Sequence, residues 1–175
     1  DHVGAASYLK RHLPDMPLKL INLAWREQGL MVAPDNPKNI RTIGDLARPE
    51  VRFINRQRGA GTRLLLDYFL KEEGIDPAGI RGYDREEYTH MAVAVNVHSG
   101  TADAGLGIMA AARALGLDFI PLAPERYDLV VPETTFDDPR FKTLLEVVRS
   151  LEFQEAVTAL GGYDLKDCGK IMWEQ

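Results

Sequence analysis

A strand, a basic glycine-containing loop and a helix follow one another near the end of the first third of the chain. Apolar residues at 51–54 predict a strand, and residues 62–73 predict an amphipathic helix that stops at Gly74. The loop between them carries Gly59 and Gly61 among arginines. A strand that leads through a short loop into a helix is one step of a βαβ unit, so this segment favours an α/β fold.

The rest of the chain continues this alternation of strands and helices. Further strands are predicted at 18–24, 29–33, 80–83, 102–107, 117–122 and 127–131, and further helices at 89–98 and after residues 42, 107, 138 and 150. The alternation predicts an α/β fold with mainly parallel strand pairing. An alternative stays open for the extended segments 25–34 and 125–132. They would be paired crossings between two lobes, with residues 51–121 forming one lobe.

The basic loop has the chemistry of an anion receptor. Arg56, Arg58 and Arg63 place three cations around it, whereas the whole chain has a formal net charge of -5. The N-terminus of the following helix adds unbonded N–H groups and partial positive charge. A tetrahedral oxyanion needs many donors and no acceptors. Arg56, the Thr62 hydroxyl and the backbone amides from Gly59 to Arg63 would supply those donors.

Nucleotide-binding motifs fit this loop less well than a simple anion receptor does. A dinucleotide fingerprint would need a third glycine where Leu64 stands, and a P-loop would need Gly-Lys followed by Ser or Thr. A solvated turn whose arginines pair with surface carboxylates stays open. The predicted ligand contacts of the loop are Asn55, Arg56, Gly59, Ala60, Gly61, Thr62 and Arg63.

Three further residues are candidate ligand contacts outside the loop. His90 follows the predicted helix cap Thr89, so it is either an anion contact or a structural residue. Gly105 lies in a glycine-rich turn and would permit close backbone approach. The Tyr127 hydroxyl would reach a cleft, with a hinge role as the alternative. Asp103 would repel an anion, so we expect it to bind backbone amides or pair with an arginine.

No catalytic residue, metal ligand set or cofactor is predicted. Ser7, Ser99 and Ser150 lack the setting of an activated nucleophile, and the histidines lack zinc spacing. Glu87 and His90 have the Glu-x-x-His spacing of di-iron bundles, but this pattern occurs once and in an α/β context.

Composition narrows the partners and the compartment. No apolar run approaches the ~20 residues of a membrane span, and the negative net charge argues against nonspecific nucleic-acid binding. The single cysteine, Cys168, excludes an internal disulfide and suits a reducing compartment. We therefore expect a cytoplasmic rather than a periplasmic protein.

Several short motifs, taken in order, resemble one known family. They are Arg26 to Leu30, Asn36-Pro37, Asn55 to Gln57 with Gly59 to Arg63, Gly82-Tyr83, Glu87 with Thr89-His90, Gly100 with Ala102 to Gly107, Asp118 to Leu122, Glu125 with Tyr127 to Leu129, and Gly162 to Asp164. This set resembles the periplasmic-binding-protein-like domain related to the molybdate and tungstate receptors. That domain also occurs fused to helix-turn-helix regulators and to molybdopterin-biosynthesis proteins.

The resemblance implies a type II two-lobed binding fold that holds molybdate or tungstate in its cleft. In the tungstate-receptor relatives an arginine matches Arg56 and a serine matches Ala60, so alanine removes one hydroxyl donor here. Family members normally begin with about one more βαβ unit, and residues 1–4 resemble its end. We expect one complete lobe and a partial first lobe. Residues 1–33 would form the partial lobe and first crossing, 34–121 the anion-binding lobe, and 122–175 the return crossing and last helices.

The expected function is non-catalytic sensing of an oxyanion. Lobe closure would act on an attached or partner domain that binds DNA or makes a cofactor. Three alternatives stay open: an effector domain for a small organic acid in a transcription regulator, an enzyme acting on a phosphorylated or carboxylated substrate, and a scaffold that has lost its ligand. The lack of a positioned base–nucleophile pair disfavours the enzyme. A sheet edge exposed by the missing unit would promote a homodimer.

Overall fold

The computed structural model describes residues 2–175, and side chains from residue 6 onward. The described chain forms two compact units. One unit, called the discontinuous unit, consists of two segments of the chain. The first segment runs up to Arg26, and the second is Pro124–Gln175. The other, the continuous unit, is Glu27–Ala123. The expectation for residues 1–4 includes Asp1, which lies outside the described residues.

The helices and strands alternate along most of the chain. In chain order the helices are α1 (His2–His12), α2 (Gly61–Glu72), α3 (His90–His98), α4 (Met109–Ala114), α5 (Glu133–Phe136), α6 (Pro139–Arg149) and α7 (Leu151–Leu160). The strands are β1 (Leu18–Val32), β2 (Phe53–Arg56), β3 (Glu86–Glu87), β4 (Ala104–Ile108), β5 (Asp118–Pro132), β6 (Tyr163–Asp164) and β7 (Ile171–Glu174). Short 3₁₀ helices cover Ile43–Ala47 and Pro77–Gly79. None of the helices in this described part of the chain has the length and apolarity that crossing a membrane requires.

β1 and β5 are each 15 residues long and pass from one unit into the other. The sequence predicted two separate strands in each of these segments, which is wrong. In β1 the residues after Ala24, which include the polar run from Arg26 to Gln28, stay extended because Trp25 and Arg26 pair with β6, and Gln28 pairs with Ile108 of β4. Backbone pairing therefore continues through residues that interrupt the apolar pattern.

The described strands form one mixed sheet. Its order is β3-β2-β4-β1-β5, and β6 and β7 also pair with β1. β2 is parallel to β3 and β4, whereas β1 is antiparallel to β4, β6 and β7. The prediction of mainly parallel pairing is therefore wrong. The long β1 and β5 are neighbours in the sheet.

In the continuous unit, α2 packs against the sheet beside β2. Phe53 of β2 and Leu66 and Leu70 of α2 are buried in one cluster of twelve buried residues, together with Leu30 and Val32 of β1. Leu66 and Leu70 are four residues apart and so lie on one face of the helix. This packing places the N-terminal turn of α2 at the end of β2 from which the basic loop leaves.

Residues 80–83 do not form the predicted strand, because the chain turns at 81–84. Gly82 has a φ of +100°, and a Cβ there would lie 2.1 Å from the carbonyl oxygen of Phe53. The main chain of this turn therefore packs directly against the main chain of β2. The strand that pairs in parallel with β2 is instead β3, where Glu86 and Glu87 pair with Asn55 and Arg56.

The discontinuous unit has smaller core clusters. Asp138 caps α6 by accepting from the Arg140 amide, and Ser150 caps α7 by accepting from the Phe153 amide, as predicted. One cluster of buried side chains joins β1, β5 and α6: Ile21, Val131, Phe141 and Leu145. A second is built from Leu9, Leu18 and Leu20.

Candidate anion-binding site

The N-terminal turn of α2 is not capped by a side chain. Gly59 turns the loop with a φ of +87°, and Ala60, the N-cap residue, has no side-chain oxygen to accept from the first amides. The Ala60 amide itself donates to the carbonyl oxygen of Gln57 at 3.1 Å. The amides from Gly61 to Arg63 therefore stand at an open helix end, where they carry partial positive charge.

Thr62 lies in this first turn and faces the sheet. It precedes Leu66 by four residues, so both lie on the buried face of α2. Thr62 is 3% exposed, and its hydroxyl hydrogen-bonds to none of the residues that the structure describes. This hydroxyl remains able to donate to a ligand beside the amides.

Arg56, the last residue of β2, lies beside the loop. It is 9% exposed. Its Nε donates to Gln57 Oε1 at 3.1 Å, and its Nη2 donates to the carbonyl oxygen of Tyr88 at 3.1 Å. These bonds hold the guanidinium between the loop and the segment that leads into α3.

The Arg63 side chain is held by partners within the chain. Its guanidinium is buried, donates to Asp67 at 3.3 Å and to Glu86 at 3.2 Å, and stacks on the Tyr83 ring at 4.0 Å. Arg58 is largely exposed, with its Nε 3.8 Å from Glu86 Oε1. Both guanidinium groups therefore lie beside carboxylates, as in the alternative interpretation of the loop arginines.

Asn55 also has a structural role. It is 1% exposed, its Nδ2 donates to the carbonyl oxygen of Tyr83 at 3.0 Å, and its Oδ1 accepts from the Arg56 amide at 3.0 Å. Both ends of the amide are used. The side chain ties the end of β2 to the turn at 81–84.

The N-terminus of α3 differs from that of α2 because Thr89 caps it. The Thr89 hydroxyl accepts from the Ala92 amide at 3.0 Å. His90 follows and is partly buried beside β4, where a Cβ on Gly107 would lie 3.5 Å from its Nδ1. Glu87 accepts from Asn96 at 3.0 Å. The described residues contain no group of three or more acidic, histidine or cysteine side chains arranged to hold a metal ion.

Gly105 and Asp103 are explained by packing and pairing. A Cβ on Gly105 would lie 2.3 Å from Val93 Cγ1 and 2.9 Å from Ile54 Cγ2, so this glycine lets β4 pack between β2 and α3. Asp103 accepts from the Arg52 amide and from its guanidinium at 2.8–3.0 Å, as expected. Hydrogen bonding from Arg52 holds the pKa of Asp103 below its usual value.

Tyr127 belongs to the discontinuous unit, whereas the basic loop belongs to the continuous one. The Arg26 guanidinium lies 4.5 Å from the centre of the Tyr127 ring and is also paired with Glu125. Arg26 and Tyr127 line a largely apolar pocket of about 270 Å³ within the discontinuous unit.

Gln28 of β1 was not identified from the sequence. It is 1% exposed, and its Oε1 has no hydrogen-bond partner among the described residues. The available signal was its spacing, since Gln28, Leu30 and Val32 alternate along one strand and should share a buried face. A polar residue in such a row requires a partner.

The fold and this set of donors define a ligand-binding α/β domain. The family model described as the PBP superfamily domain, for periplasmic binding proteins, matches residues 3–149. The chain belongs to this superfamily.

Two relatives are similar in sequence. The uncharacterized protein YvgK of Bacillus subtilis (strain 168) is 41% identical over 169 residues, which are 97% of this chain and 54% of that protein. An uncharacterized protein encoded in the 5' region of a ferredoxin 2Fe-2S gene of Clostridium pasteurianum is 42% identical over 112 residues, 63% of this chain and 99% of that protein. The chain thus spans about half the length of the Bacillus relative.

Solved structures share the fold at low identity. A two-component system protein that mediates signal transduction has a TM-score of 0.65 at 14% identity, covering 83% of this chain and 55% of its own. The probable amino-acid ABC transporter extracellular-binding protein ytmK of Bacillus subtilis has a TM-score of 0.59 at 17% identity. The match covers 85% of this chain and 66% of ytmK. PEB3 with bound L-phospholactate has a TM-score of 0.57 at 14% identity, covering 83% and 68%.

Proposed function

We propose that this chain binds a small oxyanion, molybdate or tungstate, at the N-terminal turn of α2. The observation that carries the proposal is the open end of this helix. Its N-cap, Ala60, supplies no side-chain oxygen, and the Thr62 hydroxyl beside it has no partner among the described residues. An uncapped helix end with an unbonded hydroxyl offers N–H and O–H donors, which a fully deprotonated oxyanion requires.

Each residue of the site has a proposed role. The amides of Gly61, Thr62 and Arg63 and the Thr62 hydroxyl donate to the anion, and Gly59 allows close approach because nothing lies within 4 Å of its Cβ position. Arg56 supplies the full positive charge. His90 forms part of the wall at the start of α3.

The choice of molybdate or tungstate rests on the ordered motifs that resemble the corresponding receptors. The tungstate-receptor relatives have serine at the position of Ala60. Alanine has no hydroxyl, so only its backbone amide could donate to a ligand at this point of the loop. The Ala60 amide is already bonded to Gln57. The donors of this site are therefore the amides that follow Ala60, with Thr62 and Arg56.

A small organic acid is the second candidate ligand. PEB3, which shares the fold, holds L-phospholactate, and ytmK is described as an amino-acid binding protein. A carboxylate would use the same donors at the helix end. We propose binding rather than catalysis, although the neighbour AncCDT-1, an amino-acid-binding protein, is described as a precursor of cyclohexadienyl dehydratase.

We also propose that ligand binding regulates an attached domain. The chain covers 54% of the Bacillus relative, so a protein of that length has room for a further domain. A DNA-binding or cofactor-synthesis domain is the candidate. Binding would bias that partner only through a difference in affinity between two conformations.

Calorimetric titration of the chain with molybdate, tungstate, sulfate and phosphate tests the oxyanion proposal. We expect heat with molybdate or tungstate and none with sulfate. Lactate and a set of amino acids form the second arm and test the organic-acid candidate. No heat with any of the four oxyanions would refute the first proposal.

Arg56→Ala tests the site within the same titration. Removing a charged donor should weaken binding by at least about tenfold, because a hydrogen bond to a charged group contributes roughly 1.5–3 kcal/mol. Arg58→Ala is the matched control, since that side chain is 81% exposed. Its loss should change affinity by less than about threefold. Equal effects of the two variants would remove Arg56 from the site.

A further inference from the structure

The Gln28 amide lacks a protein partner in a buried position. The residue is 1% exposed, and its Oε1 accepts from no group in the described part of the chain. A buried polar group without a partner destabilises the fold relative to one that is satisfied. Such a group in a native strand therefore needs a physical explanation.

The strand register shows which face of the sheet Gln28 occupies. Leu30 and Val32 of β1 belong to the buried cluster that contains Leu66 and Leu70 of α2. The pairing of β1 with β4 runs without a shift from Gln28 to Val32. Because side chains alternate along a strand, Gln28 points to the same face as Leu30 and Val32, which is the face covered by α2.

Gln28 also lies at the end of the sheet where α2 begins. It pairs with Ile108, the last residue of β4. β2 is parallel to β4, with Phe53 opposite Ala104 and Ile54 opposite Gly105, so the end of β2 at Arg56 is level with the end of β4. The loop leaves β2 at this end and leads to Thr62.

β4 alone separates Gln28 from the strand that carries the loop. Neighbouring strands are about 4.8 Å apart, so the main chains of β1 and β2 are about 10 Å apart here. Gln28 from β1 and Thr62 from α2 thus border the same end of one buried face. Both side chains are at least 97% buried, at 1% and 3% exposure, and neither polar end is bonded to a described residue in the contacts above.

We propose that Gln28 is a further ligand-binding residue of this site, facing Thr62 across the end of β4. The inference rests on the proposed oxyanion function. The Gln28 amide carries a donor and an acceptor end, and rotation of its last side-chain bond exchanges them. A deprotonated oxyanion offers acceptors only, so the NH₂ group donates to it. Gln28 thereby adds an uncharged donor to the charged Arg56 and the helix amides.

The experiment compares Gln28→Leu with wild type in two measurements, the affinity for molybdate and tungstate and the thermal midpoint of the ligand-free chain. Leucine keeps the approximate size and removes the amide. We expect the dissociation constant to rise at least about tenfold. The ligand-free midpoint should stay unchanged or rise, because an unsatisfied buried group is replaced by an apolar one.

Gln154→Leu is the control, because Gln154 lies on α7 in the discontinuous unit and should not change affinity. Wild-type binding with unchanged affinity in Gln28→Leu would overturn this inference and leave the oxyanion proposal standing. A lower midpoint in the ligand-free variant would show that the amide stabilises the fold instead, and would also overturn it. Wild type that binds none of the anions would overturn both proposals.

Discussion

The N-termini of α2 and α3 lie in the same unit, and each helix follows a strand that ends beside it. The two helices differ in whether a side chain caps their first amides. The α3 end is completed within the chain, since the Thr89 hydroxyl accepts from the Ala92 amide. The α2 end has alanine at the N-cap and no side-chain bond to its first turn. An N-cap contributes typically ~1 kcal/mol to stability. The chain lacks that contribution at α2, where no N-cap side chain binds the first amides.

The largest expected effect comes from closing the α2 end. Ala60→Asp would place a capping carboxylate on the first amides and should raise the free energy of unfolding by about 1 kcal/mol. The same carboxylate repels an anion, and like charges at close range cost several kcal/mol, so affinity should fall by more than about 100-fold. Denaturant unfolding and calorimetric titration of one preparation measure both changes.

Ala60→Ser separates the cap from the charge. It should give a similar gain in stability while keeping affinity within about tenfold of wild type, because the serine hydroxyl can also donate to the ligand. Wild-type affinity in Ala60→Asp would mean that the anion does not bind at this helix end.

A smaller effect is expected from the Thr62 hydroxyl. Thr62→Val keeps the shape and removes the donor, so affinity should fall roughly 10- to 100-fold. The free energy of unfolding should change by less than about 0.5 kcal/mol, since the hydroxyl is bonded to no described residue. Thr62→Ser, which retains the hydroxyl, should bind within about threefold of wild type. A loss of stability without a loss of affinity would assign Thr62 to the core instead.

The smallest effect on binding is expected at α3. Thr89→Ala removes the cap and should lower the free energy of unfolding by about 1 kcal/mol. Affinity should stay within about threefold of wild type, because this end is completed by its own side chain. If Thr89→Ala weakened binding as much as Thr62→Val, the two helix ends would share one role and the contrast between them would be lost.

Local patterns predicted much of this fold. The helix after the basic loop was placed within one residue of α2 (Gly61–Glu72), and the caps at Asp138 and Ser150 were confirmed. These features depend on groups within a few residues of each other, so the pattern contains the relevant partners. The structural role of Asp103 was also predicted, as binding to backbone amides or pairing with an arginine, and Arg52 provides both contacts.

Other features could not be predicted from local patterns. The continuity of β1 through Arg26 and Glu27 could not be predicted. The backbone of this part of β1 is held by hydrogen bonds to β4 and β6. The turn at Gly82 was mistaken for a strand, because its geometry depends on contact with Phe53. In both cases the deciding partner is distant in sequence.

The sequence by itself determined that a glycine-containing basic loop lies between a strand and a helix, and that Gly59, Ala60 and Gly61 precede Thr62 in that loop. These are properties of adjacent residues. Only the tertiary structure decided which loop arginine is bound by distant carboxylates of the chain. Arg63 donates to Glu86, which is 23 positions further along the chain. Arg56 is held beside the loop by hydrogen bonds to Gln57 and Tyr88. The strand register likewise brings Gln28 to the α2 face, because pairing and burial set side-chain partners that no local pattern contains.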